Sequence, residues 1–308
     1  MKKTVKTPAD NPPILATNLR QGDTIGLAPV AGPWQQEKFI RGIEILTESG
    51  FRVKEPVRKQ YNYLAGSDQY RLNTFHDLWR DPEIKAIMAI RGGYGCLRLL
   101  ERLDFNLIRQ HPKILIGFSD VTVLLTAIQQ QTGLVTFHGP MLTTLEATDQ
   151  KSLQDLFKRL THSEPYSLQS DKLEILRPGT ACGLLVGGNL TTISHLLATP
   201  AEMIMKNRIL FIEDIGEAPY RIDRMLTQLR LSGGLADISG LIMGTFSDCG
   251  EKEMIRQRIL ELVPAHIPVW ADFPSGHTGR NRTLPLGISV TMAGESGSLI
   301  FSEPCLLA

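Results

Sequence analysis

The chain has 308 residues, enough for two domains that each bury a core. A net charge of +1, with 42% hydrophobic and 21% charged residues, gives no general field to hold nucleic acid or an acidic membrane surface, so small-molecule or peptide substrates are favoured. No stretch approaches the roughly 18 apolar residues of a membrane span, and the scattered Cys96, Cys182, Cys249 and Cys305 form no CxxC pair, so they read as reduced cytoplasmic thiols rather than a zinc knuckle or disulfide framework.

Residues 1–18 are expected to be a flexible, uncleaved tail, because Pro8, Asp10, Asn11 and two prolines stand where a signal peptide would be apolar. In residues 19–150 the strand candidates are Thr24 to Ala28, Phe51 to Val53, Ala86 to Ile90, Ile114 to Gly117 and Leu134 to His138. Helical patterns fall between them, at Gln35 to Ser49 with Gly50 as its cap, Gln69 to Arg80, Gly95 to Leu103 and Val121 to Gln131. Such alternation implies a parallel sheet covered on both faces, with ligands at the carboxyl ends of its strands.

Residues 151–180 are polar and turn-rich and are expected to be the connection between domains. From 181 to 308 the strands are Cys182 to Val186, Ile209 to Ile212, Leu241 to Thr245, Ile288 to Met292 and Ser298 to Phe301, the last two joined by a hairpin at Gly294 to Gly297. Helices are expected at Thr191 to Leu197 and Tyr220 to Leu231. This half is the more mixed and the more β-rich.

The sharpest chemical signal is Phe118-Ser119-Asp120, between the apolar run Ile114 to Gly117 and the periodicity of Val121, Leu124, Leu125 and Ile128. A serine on such a strand-to-helix turn presents its hydroxyl at the carboxyl end of a sheet, beside N–H groups that stabilise negative charge. A helix N-cap fits the same position. The loop Arg91-Gly92-Gly93-Tyr94-Gly95 lacks the third glycine of GxGxxG and the lysine of a P-loop. It is a tight turn, or an oxyanion loop if Ser119 lies beside it.

A serine needs a base, and a base needs an orienting carboxylate. Of seven histidines, His277 is set apart by its polar, glycine-rich loop, Pro274 to Asn281. His138, at a strand end, ranks second, while His76, His111, His162, His195 and His266 sit on helices, at loop edges or in the connection. For the carboxylate, Ile209 to Ile212 runs directly into Glu213 and Asp214. Asp214 and Glu217 also suit helix capping or ion pairs with Arg221 and Arg224, and spacing alone does not select Glu213.

Five motifs occur in order: Arg91-Gly92-Gly93-Tyr94-Gly95; Gly117-Phe118-Ser119-Asp120; Gly187-Gly188-Asn189-Leu190; Ile212-Glu213-Asp214 with Glu217 and Tyr220-Arg221-Ile222-Asp223-Arg224; and Gly276-His277 with Leu284-Pro285-Leu286-Gly287. From about Gly22 to about Phe301 the chain resembles the LD-carboxypeptidases of the S66 serine peptidase family, which includes muramoyltetrapeptide carboxypeptidases and microcin-immunity peptidases. The resemblance implies an α/β fold, with an N-terminal flavodoxin-like (amidotransferase-like) parallel sheet domain and a smaller, β-rich C-terminal domain. It also implies a triad of Ser119, Glu213 and His277 in the cleft, and no metal or cofactor.

In the chemistry so implied, Ser119 attacks the carbonyl before a C-terminal D-alanine of cytoplasmic murein tetrapeptide, and His277, fixed by Glu213, relays the proton. The N–H groups of Asp120 and Gly93 hold the oxyanion. Arg91 and Asn189 help to read the free carboxylate. A homodimer is expected from the resemblance, with no nucleic-acid or membrane partner. Three rivals stand beside this reading. A microcin C-like aminoacyl-nucleotide amidase would want an aromatic able to stack on adenine, and Trp270, the nearest tryptophan, reads as core. A non-catalytic binding module would keep its function without Ser119. A metallopeptidase would want HExxH or a similar ligand cluster.

Overall fold

The computed structural model describes residues 12–57, 63–170 and 172–308. Among these, six strands form one sheet and eight form another. The first holds β1 (Thr24–Ala28), β2 (Arg52–Lys54), β3 (Ile84–Ala89), β4 (Ile114–Gly117) and β5 (Thr136–His138) in the order 5-4-3-1-2, all parallel. Strand order 2-1-3-4-5 is that of the flavodoxin-like doubly wound sheet. β1 is buried along its whole length, as expected for a parallel strand covered on both faces by helices.

Those helices follow from local signals. α1 (Gln36–Glu48) turns Phe39, Gly42, Ile45 and Leu46 inward at helical spacing. α2 (Asp68–Arg80) is capped by Ser67, whose hydroxyl accepts from the Tyr70 N–H at 3.2 Å. The expected helix Gly95 to Leu103 is a 3-10 helix, Cys96–Arg102, followed by a short α3 (Phe105–Gln110). α4 (Thr122–Thr132) is buried nearly all round, its threonines and glutamines included, and ends at Gly133 with φ 82°.

Residues 151–180 are not a plain connection. They hold most of α5 (Gln150–Thr161), whose N-cap Asp149 accepts from the Ser152 N–H at 2.7 Å, and two short strands, β6 (Tyr166–Leu168) and β7 (Glu174–Arg177). The polar composition that reads as linker is the outward face of an amphipathic helix and of two strands at the sheet's ends. Part of the expected tail is tied to the body of the protein. Residues 1–11 lie outside the described set, but Ile14 bridges to Leu134 and Thr17 to Leu307.

The second sheet has a parallel centre of β8 (Ala181–Asn189), β9 (Arg208–Ile215), β10 (Gly240–Ser247) and β11 (Val269–Ala271). Antiparallel β13 (Ser289–Ala293), β14 (Ser298–Phe301) and β6 extend one side, and β7 the other. The helices α6 (Leu190–His195), α7 (Pro219–Leu231) and α8 (Lys252–Leu262) belong to this half. It is mixed and β-rich, as expected; the strand-like stretch around Trp270 is β11, and α8 is an element the periodicity does not single out.

The two halves are not separately cored. β12 (Leu284–Leu286), late in the chain, pairs antiparallel with β5 and so completes the first sheet. One hydrophobic core runs from Ile25 and Leu115 through Phe211, Ile242 and Trp270 to Leu284, and a second core, around Leu210, Leu226 and Ile259, belongs to the C-terminal half alone. Trp270 is fully buried, as its apolar surroundings implied.

Close approach of β8 to β9 depends on Gly187. A Cβ there would stand 1.8 Å from the Phe211 carbonyl oxygen, and φ is 139°. Gly187→Ala is expected to lower stability by about 3 kcal/mol or more. A urea unfolding midpoint within error of the parent would show that β8 can move aside.

Candidate active site

Ligands of a doubly wound sheet gather where neighbouring loops diverge at the carboxyl ends of the strands. Here a cavity of about 350 Å³ opens at that edge. Its walls come from Gln35 and Lys38 at the start of α1, Arg91 to Gly93 after β3, Phe118 and Ser119 after β4, Met141, Thr143 and Thr144 after β5, and His277 from the C-terminal half.

Ser119 sits at the turn out of β4 with φ 61°. A non-glycine residue in the left-handed region carries a strain of about 1–2 kcal/mol, which here lifts the hydroxyl off the strand end toward the cavity. Gly92 lies against it. A Cβ on Gly92 would stand 2.9 Å from the Ser119 Cβ and 3.1 Å from its Oγ, so a side chain there would crowd the hydroxyl. The Ser119 side chain caps no helix N–H, and it is half-buried.

Glu213 lies near the end of β9, wholly buried, and accepts from the His277 Nδ1–H at 2.6 Å. With Nδ1 so engaged, Nε2 is the ring nitrogen left for other chemistry. The Phe118 ring stands 4.8 Å from the imidazole. Burial pulls the His277 pKa down, but the hydrogen bond and charge of Glu213, with the charge of Asp214, more than offset this, and the ring titrates above its ordinary 6.5.

The His277 loop is clamped from inside and outside. Within it, the Arg282 N–H donates to the Pro274 carbonyl at 2.8 Å, the Ser275 hydroxyl to the Arg282 carbonyl at 2.8 Å, and the Gly276 N–H to Asn281 Oδ1 at 3.1 Å. From outside, α5 and its cap hold it. The Asp149 N–H donates to the Gly279 carbonyl at 2.7 Å, the Asn281 N–H to Ser152 Oγ at 3.2 Å, and the Arg282 guanidinium to Asp155 at 3.1 Å.

Several expectations change. Asn189 does not line the cavity. Its Oδ1 accepts from the Thr192 N–H and hydroxyl at 3.0 and 2.9 Å, capping α6, and its Nδ2 donates to Asp214 at 2.9 Å. Its oxygen and one of its two amide N–H groups are thus committed within the C-terminal half, and the side chain is buried. Asp214 is likewise occupied by Thr191 and Asn189, and its carboxyl is raised above its usual range by burial, which those hydrogen bonds only partly oppose. Glu217 pairs with Arg221 at 3.5 Å. Arg91 lines the cavity, held by a bond to the Pro33 carbonyl at 2.5 Å, and makes no ion pair among the described residues. The Asp120 carboxylate faces away from any substrate role, accepting from the Cys96 N–H at 2.8 Å.

Lys38 was not anticipated, although the loop after the first strand of such a sheet borders the switch point between β1 and β3 and is a place to look. His138 is fully buried beside Phe118 and Phe211 at ring separations of 5.9 and 5.0 Å. Burial, with a small push from His277, lowers its pKa to about 3. It does not line the cavity.

A histidine raised by a carboxylate responds when the carboxylate is neutralised. NMR titration should find His277 above 6.5 and His138 neutral from about pH 4 upward. Glu213→Gln should carry His277 below 6.5, because burial then dominates. An unmoved His277 would mean that the Glu213 charge is not what raises it. Folding stability supplied by this pair should be complete below pH 6.5 and fade as the pH rises through the raised native value.

Two family models match, described as the LD-carboxypeptidase N-terminal domain over residues 25–139 and the LD-carboxypeptidase C-terminal domain over residues 182–292. The chain is 40% identical over 288 residues to the probable murein peptide carboxypeptidase of Bacillus subtilis, covering 89% of this chain and 90% of the relative. It is 30% identical to the microcin C7 self-immunity protein MccF of Escherichia coli, covering 96% and 97% of the two chains. Among solved structures, the muramoyltetrapeptide carboxypeptidase of Oxalobacter formigenes overlays with a TM-score of 0.81 at 30% identity, covering 91% of this chain and 99% of the other. The chain belongs to the LD-carboxypeptidase family, peptidase S66.

Proposed function

We propose that this chain is a serine carboxypeptidase that removes the terminal D-alanine from murein tetrapeptide, with Ser119 as nucleophile, His277 as base and Glu213 as its orienting acid. The observation that carries the reading is the buried Glu213–His277 bond of 2.6 Å, with His277 and the strained Ser119 lining one cavity. His277 Nε2 takes the serine proton as the hydroxyl adds to the carbonyl carbon, and gives it to the departing amine of D-alanine. Water then repeats the sequence on the acyl-enzyme.

For the oxyanion, the Asp120 N–H belongs to the first turn of the helix that continues into α4, where backbone donors have no partner within the helix. The Gly92 carbonyl accepts from the Gly32 N–H at 3.0 Å. In a trans peptide this turns the Gly93 N–H the opposite way, leaving it available as the second donor.

An exopeptidase must read a free carboxylate. The cavity presents Arg91 and Lys38 and no acidic side chain among its lining residues, so the terminal carboxylate is assigned to this pair. The murein reading is preferred over a microcin-type amide because the alignment to MccF runs over 334 positions against the 308 residues of this chain. That relative therefore carries segments this chain lacks, whereas the murein peptide relative aligns over 288. The family resemblance further supports action in the cytoplasm as a homodimer.

Incubation with murein tetrapeptide should release D-alanine, read by mass spectrometry, and Ser119→Ala should reduce the rate on the order of 10³-fold or more while the protein remains folded. Intact substrate with the parent enzyme would end the substrate assignment. Arg91→Ala and Lys38→Ala should each raise KM about tenfold with smaller effects on kcat, as expected for loss of uniform binding. Equal losses in kcat alone would place the carboxylate elsewhere.

A further inference from the structure

Tyr63 and Tyr94 are 73% and 47% exposed, their ring centroids 5.8 Å apart and their planes inclined at 52°. Single exposed aromatics are ordinary on a soluble protein. Two in contact beside a catalytic cavity form a surface with a use. Tyr94 directly follows Gly93 of the cavity wall. Tyr63 begins the segment in which the Ala65 N–H donates to the Ala31 carbonyl at 2.9 Å, while the Gly32 N–H donates to the Gly92 carbonyl at 3.0 Å. The loops bearing the two rings are thus both stitched to the loop after β1, at Ala31 and Gly32, at the edge of the sheet where the cavity opens.

Beside the rings lies a planar polar group. The Arg98 guanidinium donates to the Asp68 carboxylate through Nε at 3.0 Å and Nη2 at 2.8 Å, and also interacts with the Tyr94 hydroxyl. Both partners keep solvent access, with side chains 48% and 28% exposed. An aromatic face flanked by charged, planar donors and acceptors suits a pyranose. The axial C–H bonds of the sugar carry partial positive charge and rest on the negative π face, while its hydroxyls meet the polar edge. A flat base would want two parallel faces, and rings at 52° do not provide them.

We propose that Tyr63 and Tyr94, edged by Arg98 and Asp68, form a saccharide subsite outside the scissile position, so that the enzyme prefers a sugar-bearing murein peptide to the bare peptide. The inference rests on the carboxypeptidase reading above.

The test compares D-alanine release from murein tetrapeptide and from N-acetylmuramoyl-tetrapeptide. The parent enzyme should show kcat/KM about tenfold higher on the sugar-bearing substrate, a step of the size one stacking contact supplies. The double variant Tyr63→Ala/Tyr94→Ala should bring the ratio to about one while bare-peptide activity stays within about twofold, and Tyr63→Phe/Tyr94→Phe should keep most of the preference. No preference in the parent, a preference that survives the alanine pair, or equal losses on both substrates would overturn the subsite. Saturation-transfer NMR with N-acetylmuramic acid alone, on Ser119→Ala, separates this from a failure of the peptidase reading. Signal that the alanine pair abolishes supports the platform even if no peptide is cleaved, and absence of signal, or binding of adenosine in its place, overturns it.

Discussion

A carboxylate removed from water is costly unless it is paired, and Glu213 is wholly buried. Its partner is the His277 Nδ1–H at 2.6 Å, so the bond is as much a condition for burying Glu213 as a way of orienting the imidazole. Removing one member of such a buried pair typically costs about 3–5 kcal/mol. The strand carries Glu213 at a fixed place, so the histidine must be brought to it. The loop from Pro274 to Arg282 does this with its internal hydrogen bonds, and α5 presses it home through Asp149, Ser152 and Asp155.

Ser119 comes from the other sheet, which poses a second positional problem. Two halves joined by an ordinary linker would let Ser119 and His277 drift apart by more than chemistry tolerates. β12 removes that freedom by leaving the C-terminal half to pair with β5 of the first sheet, immediately after the His277 loop. The Asn189 N–H donates to the Thr122 hydroxyl at 3.2 Å, tying the end of β8 to the start of α4, just beyond Ser119. With one core running through both sheets, the cleft is bounded by two faces of a single packed body.

What could be read in the sequence is what local periodicity and turn chemistry encode. β1, β3 and β4 are short, mostly apolar and buried runs; β1 and β4 have the expected bounds, and β3 begins two residues earlier, at Ile84. Ser119 and His277 stand out locally, one at the end of an apolar strand and one within a glycine-rich loop, whereas Glu213 is selected over Asp214 and Glu217 by the family resemblance and not by its spacing. The residues that escaped are those whose role is set across the fold. α5 has a clear amphipathic face but a polar composition, and only tertiary contact shows that Asp155 holds the His277 loop through Arg282. Asn189 stands in a glycine motif of the site, yet its position after β8 makes it a helix cap. Lys38 is an unremarkable helix residue until β1 and β3 part beside it.

His138 shows how the same fold can set the charge on two neighbouring imidazoles in opposite directions. It lies one T-shaped contact beyond Phe118, whose ring also packs against His277. Were both to carry charge, each would oppose the protonation of the other and blunt the response of the base. Burial without a carboxylate keeps His138 neutral, whereas burial with Glu213 raises His277. Charge change in the pair is thereby confined to one ring, in a cavity whose other fixed charges, Lys38 and Arg91, are positive. Those cations favour an anionic substrate, while the charge state of His277 is set by burial and by the carboxylates of Glu213 and Asp214.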